Sequence, residues 1–287
     1  MQFEAIRVSV AVAGLLLASY YDLFNRRNVP SWLTYSMLGA GILFTLAGFD
    51  AQEIANSAVA AVAVLGLGYL VYRSGQIGGA DVLIFAALAL LLPIAPAPIF
   101  PVSSSAPAIS LPFIVAIFIA SGLFSIIGIS ATYVPKVLSS LLKGNVKVGR
   151  TSIFSSAVIV ASYAFVLYFM HSAFALPVPQ LALIAMLVIL AAFLMLFKEH
   201  ISESMIEWVP FSKIDEEDII ALEKLDPGLV ARLSLGKVLT PSELGKLKKT
   251  KLKTFPIFKG MPPFVPYITL GLAFLLLFGD LVLLLFA

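Results

Sequence analysis

Charged residues fall in clusters along this chain. The apolar stretches between them invite comparison with a bilayer, which a helix crosses in about 20 residues. Uninterrupted stretches occupy residues 28–49, 54–72, 82–135, 151–197 and 261–279. The third and fourth each have room for two spans, and each is punctuated near its middle. One carries Pro96, Pro98, Pro101, Ser103 to Ser105 and Pro107, the other Pro177-Val178-Pro179. A further span fits ahead of Asp22, interrupted only by Glu4 and Arg7 at its outer end. The pattern predicts eight spans, near 4–24, 31–48, 55–72, 80–99, 111–135, 152–172, 177–197 and 263–284. The expected fold class is an all-α polytopic membrane protein with about eight transmembrane helices plus a small cytoplasmic helical domain. A cleaved secretory signal is not expected, because no basic segment precedes the first apolar run and no small-residue cleavage site follows it.

Composition agrees with this layout. Hydrophobic residues make up 60% of the 287 and charged residues 12%, against roughly 45–50% and 25% in soluble domains. The chain has no Cys, which excludes a disulfide scaffold, thiolate metal sites and a cysteine nucleophile. Only His171 and His200 offer imidazole, so a His-rich metal site is not expected, and no metal or organic cofactor is implied.

Orientation follows from the positions of Lys and Arg, which stay preferentially cytoplasmic. With eight alternating spans, every basic residue except Arg7 falls on one face. That face holds the loops 25–30, 73–79, 136–150 and 198–262, and both termini lie on the other. The expected organisation is a transmembrane region over 1–197 of about seven helices, a cytoplasmic polar domain over 198–262 and a last transmembrane helix over 263–287.

The polar segment holds most of the charge. Asp215-Glu216-Glu217-Asp218 followed by Ile219, Ile220, Leu222 and Leu225 predicts a helix with acids in its first turn, ended by Asp226-Pro227-Gly228. Thr240-Pro241-Ser242-Glu243 predicts a second helix start, with Thr240 as cap, Pro241 in the first helical position and Glu243 closing a capping box. Six lysines from Lys246 to Lys259 then lead into the last span. They suit topological anchoring and attraction to anionic lipid headgroups.

Chemistry is sought among ionisable residues at the membrane boundary, where polar groups are expensive to keep. Asp22 closes the first span in Tyr20-Tyr21-Asp22-Leu23-Phe24-Asn25-Arg26-Arg27, and Asp81 opens the fourth after Gly75-Gln76-Ile77-Gly78-Gly79-Ala80. The span count puts both on the cytoplasmic side at similar depth. Two carboxyls within hydrogen-bonding range share a proton, so one can activate a water while the other polarises a carbonyl. Helix direction favours the protonated form at Asp22 and the anion at Asp81, with Arg26 and Arg27 opposing this at Asp22. Gly78 and Gly79, lacking Cβ, would admit a close or strand-like approach of substrate backbone.

These residues resemble the type IV prepilin peptidases. Asp22 followed by Arg26-Arg27-Asn28-Val29-Pro30-Ser31-Trp32-Leu33-Thr34 is similar to that family's first catalytic region. Gly78-Gly79-Ala80-Asp81 resembles the Gly-x-Gly-Asp signature of this class of intramembrane aspartic proteases, with Ala80 in place of the second Gly. Gly260-Met261-Pro262-Pro263-Phe264-Val265-Pro266-Tyr267 resembles a segment near the end of archaeal members. The resemblance covers mainly residues 15–90 and 255–275. It lacks the cysteine-rich insertion typical of bacterial members, so the archaeal prepilin and preflagellin (pre-archaellin) peptidases, which do not methylate, fit better. Their commonest layout has fewer spans, so residues 100–175 would hold added helices.

The resemblance implies a membrane aspartic endopeptidase with Asp22 and Asp81 catalytic and Gly78, Gly79 and Ala80 in substrate binding. It implies partners in the bilayer: precursor proteins with a basic leader and an apolar helix, and no nucleic acid. Presenilin and signal-peptide-peptidase proteins share the paired aspartates and the Tyr-Asp pair, but their Pro-Ala-Leu tripeptide is absent here. A proton-coupled transporter would also use paired carboxylates, but it would bring helices broken at the midplane and internal symmetry.

Overall fold

The computed structural model of the protein describes residues 2–25, 28–48, 51–100, 112–146, 148–174, 178–250 and 252–279. Arg26, Arg27, Pro101, Ser103 to Ser105, Pro107 and Pro177 lie outside them. Long helices follow one another as α1 (Gln2–Phe24), α2 (Ser31–Gly48), α3 (Ala51–Arg73), α4 (Gly79–Leu91), α5 (Phe113–Leu142), α6 (Arg150–Phe174) and α7 (Val178–Leu196). A polar insertion then carries α8 (Lys198–Ser204), β1 (Ile206–Pro210), α9 (Pro227–Leu233), α10 (Pro241–Lys248) and β2 (Thr254–Phe258) before α11 (Val265–Phe278). The protein is an all-α polytopic membrane protein in architecture. Five helices, α1, α2, α3, α5 and α6, are long and apolar enough to cross a bilayer. The apolar part of α7 reaches that length only together with α8, across a bend of 65°. The predicted spans near 80–99 and 263–284 correspond to shorter helices, of 13 and 14 residues.

The shortest of the apolar helices sits at the centre. From Val82 to Leu92 almost every α4 side chain is buried, as expected of a segment apolar all round. Helices α1, α2, α3 and α5 pack around it, and α11 closes the bundle against α1 and α5. Lipid tails are as apolar as Leu, so close packing rather than water exclusion binds such helices, and small residues permit it. At Gly41 of α2 a Cβ would stand 2.9 Å from Leu90 Cβ, and at Gly271 of α11 one would stand 2.8 Å from the Ser121 backbone N. The outward faces carry large apolar side chains such as Leu43, Val59, Leu67 and Phe165, the surface a lipid-facing bundle presents.

Helix α4 stops at Leu91 because Pro93 disfavours helical backbone in the residue before it. Its last carbonyls therefore need partners inside an apolar bundle. Arg7 supplies them from α1, with Nε donating to Leu91 O at 2.8 Å and Nη2 to Leu90 O at 2.6 Å, and the Thr45 hydroxyl donates to Leu90 O at 3.0 Å. The one basic residue apart from the others in the span count is thus a buried cap.

The polar insertion differs from the helical domain expected. Strands β1 and β2 pair antiparallel with Trp208 opposite Pro256, bringing the end of the insertion back beside its start. No α-helix covers 215–225, where only a single 3₁₀ turn, Leu222–Lys224, forms. Ile219 and Ile220 form bridges to Val238 and Ile257 instead; both side chains are buried, and Ile220 belongs to a small core with Leu239, Leu247 and Phe255. Asp226-Pro227 begins a helix rather than ending one: the Asp226 carboxylate accepts the Leu229 N–H at 2.9 Å, and Pro227 takes the first helical position. The capping box at α10 forms as expected. Glu243 accepts the N–H groups of Gly236 at 2.6 Å and Thr240 at 2.9 Å, and the Thr240 hydroxyl at 2.9 Å.

Two tests follow from these contacts. Arg7→Ala removes the donor to Leu91 O and leaves Leu90 O to Thr45 alone, and should cost about 2–3 kcal/mol, read as a lower unfolding midpoint in detergent. Arg7→Lys, which cannot span both carbonyls with a planar fork, should cost less. At Glu243, burial pushes the carboxyl up, but the N–H groups of Thr240 and Gly236, the Thr240 hydroxyl and nearby Lys246 outweigh it. They hold the group below its ordinary value of 4.5. Its contribution to stability is therefore fully present above that pH and lost as pH falls through the lower folded value. Denaturant unfolding followed by Trp208 fluorescence in a Trp32→Phe background should show this acid loss, and Glu243→Gln should be less stable at neutral pH and lack it.

Candidate active site

Asp22 lies two residues before the end of α1, and Asp81 is the third residue of α4. The two helices pack together, and Arg7 near the start of α1 meets the end of α4, so they run antiparallel. The end of α1 and the start of α4 therefore share one end of the bundle. Both aspartates are buried, at 6% and 9% exposed.

Each carboxyl is held by backbone. Asp81 Oδ2 accepts the Gly78 N–H at 3.1 Å, across the first turn of its own helix. Asp22 Oδ2 accepts the Val265 N–H at 3.0 Å from the first turn of α11. That second contact amends the expectation based on helix direction. Asp22 stands at the negative end of α1 and also at the positive end of α11, so dipoles of opposite sign meet there and direction alone assigns no roles. An apolar wall adjoins the pair, with the rings of Phe85, one turn beyond Asp81, and Phe264, just before α11, 6.2 Å apart.

The three small residues before Asp81 have different surroundings. Gly78 is exposed and extended at the helix start, with φ −73° and ψ 150°. A Cβ on it would stand 3.0 Å from Asp81 Oδ2, so the missing side chain lets the carboxyl fold back onto the N–H. Gly79 is half-buried and faces the polar insertion: a Cβ there would stand 3.3 Å from Glu217 Oε2 and 3.4 Å from Tyr72 Cε2. Ala80 packs against the membrane core.

Sequence reasoning did not find Val265, Glu217 or Tyr72 at this place. Val265 contributes only a backbone N–H, which has no residue signature, though the proline-rich segment around it was singled out. Glu217 was assigned to the first turn of a helix that does not form. Among the described residues no group of three or more His, Asp or Glu is placed to hold a metal ion.

Apolar helices bearing two buried aspartates at one end define a polytopic membrane protein with a paired-carboxyl centre. Residues 9–129, which carry both aspartates, match the sequence model of the type IV leader peptidase family. Over 119 residues the chain is also 30% identical to prepilin peptidase EppA of Methanothermobacter thermautotrophicus, an alignment covering 37% of this chain and 31% of that protein. The chain thus spans about a third of the length of the curated relative it matches. No solved structure matches it. Both matches bear out the resemblance carried by the motifs.

If the chain acts as a peptidase, Gly78→Val, whose side chain would press into the Asp81 carboxyl, should lower cleavage of its substrate by about tenfold or more, with membrane expression unchanged. Ala80→Val, against the packed core, should instead reduce expression and activity together. Immunoblots of enzyme and product in the same membranes separate the two outcomes.

Proposed function

We propose that the protein is a membrane-embedded aspartic endopeptidase. It removes class III signal peptides from pre-archaellins or prepilins at the cytoplasmic face of the cell membrane, with Asp22 and Asp81 as the catalytic pair. The observation that carries this reading is the pairing itself: two buried aspartates, on antiparallel helices, at one end of a bundle whose matched segment contains both. The cytoplasmic orientation rests on the gathering of basic residues on the face that bears the polar insertion.

The chemistry needs no group beyond the two carboxyls and water. The ionised aspartate takes a proton from water as the water oxygen bonds to the scissile carbonyl carbon. The protonated aspartate donates to the carbonyl oxygen. When the tetrahedral intermediate collapses, the C–N bond breaks, the departing nitrogen takes a proton from the aspartate that received one, and the other aspartate recovers its proton from the hydroxyl that becomes the new carbonyl. Burial strengthens each of these charge interactions, and backbone N–H groups on Asp22 and Asp81 hold the carboxyls before substrate arrives. A site at the end of the bundle suits a substrate whose basic leader stays in water while its apolar helix stays in lipid. Only the junction has to be unwound, and exposed Gly78 borders the place where an extended backbone would lie.

The test uses inverted vesicles, which present the cytoplasmic face, with a pre-archaellin or a pilin precursor added outside. The wild type should cut at the junction of leader and apolar helix, identified by sequencing the product N-terminus, whereas sealed right-side-out vesicles should not. Asp22→Asn and Asp81→Asn should each abolish cleavage while leaving expression intact, because groups acting as a unit fail together. Turnover at the wild-type rate by either variant would sink the assignment.

A further inference from the structure

In the acidic turn at Asp215 to Asp218 the two aspartates lie against Lys259, and the Glu217 carboxylate does not. The Asp218 carboxylate accepts Lys259 Nζ at 2.6 and 2.8 Å, and its Oδ2 also accepts the Asp215 N–H at 2.8 Å. Asp215 stands 3.8 Å from the same lysine. Between them Glu217 has left-handed backbone, with φ 69°. It is held there by its N–H on Leu239 O at 2.9 Å, while Leu239 N–H returns to Asp218 O at 2.9 Å. Among the described residues the Glu217 carboxylate enters no salt bridge and no side-chain hydrogen bond.

That carboxylate lies against Gly79 at the start of α4. Measured from a Cβ on Gly79, its oxygens lie at 3.3 and 3.7 Å, and Cε2 of Tyr72 lies at 3.4 Å. The approach is anchored nearby, where Ile219 and Lys237 pack within 3.5 Å of a Cβ on Gly75 in the turn between α3 and α4. An exposed carboxylate and an aromatic ring thus converge on a residue without a side chain, two residues before Asp81. Such a slot offers a cation both an opposite charge and a ring quadrupole.

We propose that Glu217, with Tyr72, receives a basic side chain of the leader and so sets the enzyme's specificity for positively charged leaders. The inference rests on the peptidase reading. It adds that the polar insertion takes part in recognition as well as the membrane helices. Residues of an extended chain are spaced about 3.3 Å apart, so the basic residue received lies within a few positions of the scissile bond.

The experiment uses full-length enzyme in liposomes and three versions of one pilin precursor, with Lys, Gln or Glu at a single leader position beside the cut. For the Lys leader, Glu217→Gln should raise KM about tenfold with kcat unchanged, and the wild-type rise of KM with salt should flatten. For the Gln leader the two enzymes should be alike, and Glu217→Lys should prefer the Glu leader. Glu217→Gly relieves the left-handed backbone, so it should raise the unfolding midpoint of the protein yet lose the Lys preference as Glu217→Gln does. Equal losses on all three leaders, or none on any, would overturn the assignment of Glu217 while leaving the peptidase reading standing. A wild type that cuts none of the precursors would overturn both.

Discussion

Everything at the site depends on how a short, wholly apolar helix is accommodated. Helix α4 has 13 residues and is about 20 Å long, against a hydrocarbon layer of about 30 Å. A helix this short leaves backbone groups at one end or the other within the hydrocarbon layer, where each unpaired group is costly. At the far end Arg7 and Thr45 answer the carbonyls. At the near end the Asp81 carboxyl answers the Gly78 N–H. The aspartate proposed for catalysis thus also closes its own helix, and its position is fixed by backbone geometry rather than by a flexible stem.

The same constraint aligns α1. With Arg7 tied to the end of α4, the antiparallel run of α1 carries Asp22 back toward the start of α4, the end that bears Asp81. Helix α11 completes the arrangement by placing its first-turn N–H on Asp22. Side chains fasten it to α1 lower down, where the Ser19 and Thr269 hydroxyls lie 2.7 Å apart. Three helices distant in sequence thus meet at two carboxyls, and each contributes either a carboxyl or a backbone donor.

What the sequence made legible was what depends on local periodicity and on side chains with distinctive chemistry. The apolar stretches gave α1, α2, α3, α5 and α6 because their length is set by the bilayer, whereas α4 and α11 are shorter than the stretches that hold them. Thr240-Pro241-Ser242-Glu243 gave a helix start because a capping box is complete within four residues. The stretch from Asp215 to Leu225 misled for a complementary reason. Its acids and apolar spacing suit a first turn, but Ile219 and Ile220 find partners in Val238 and Ile257, and burial in a tertiary core outweighs a weak helical preference. Asp226-Pro227 was ambiguous for similar reasons, since an Asp and a Pro suit a helix start as well as a chain break. Nothing local in the sequence marks the N–H of Val265 or brings Glu217 beside Gly79, because both follow from chain packing across long separations.

The passage from β2 into α11 ties the polar insertion to the membrane site through a short run of chain. Lys259, immediately after β2, holds the acidic turn that presents Glu217. Gly260, next to it, donates its N–H to Met205 O at 3.0 Å and accepts the Tyr133 hydroxyl of α5 at 3.2 Å. Five residues further on, Val265 reaches Asp22. A displacement of this run would move the Glu217 turn, the α5 contact and the Asp22 anchor together, because the intervening prolines Pro262 and Pro263 leave little backbone freedom to absorb it. The polar insertion and the two aspartates are therefore linked through one run of chain, and the recognition of a leader proposed for the first and the holding of a carboxyl at the second rest on the same stretch of backbone.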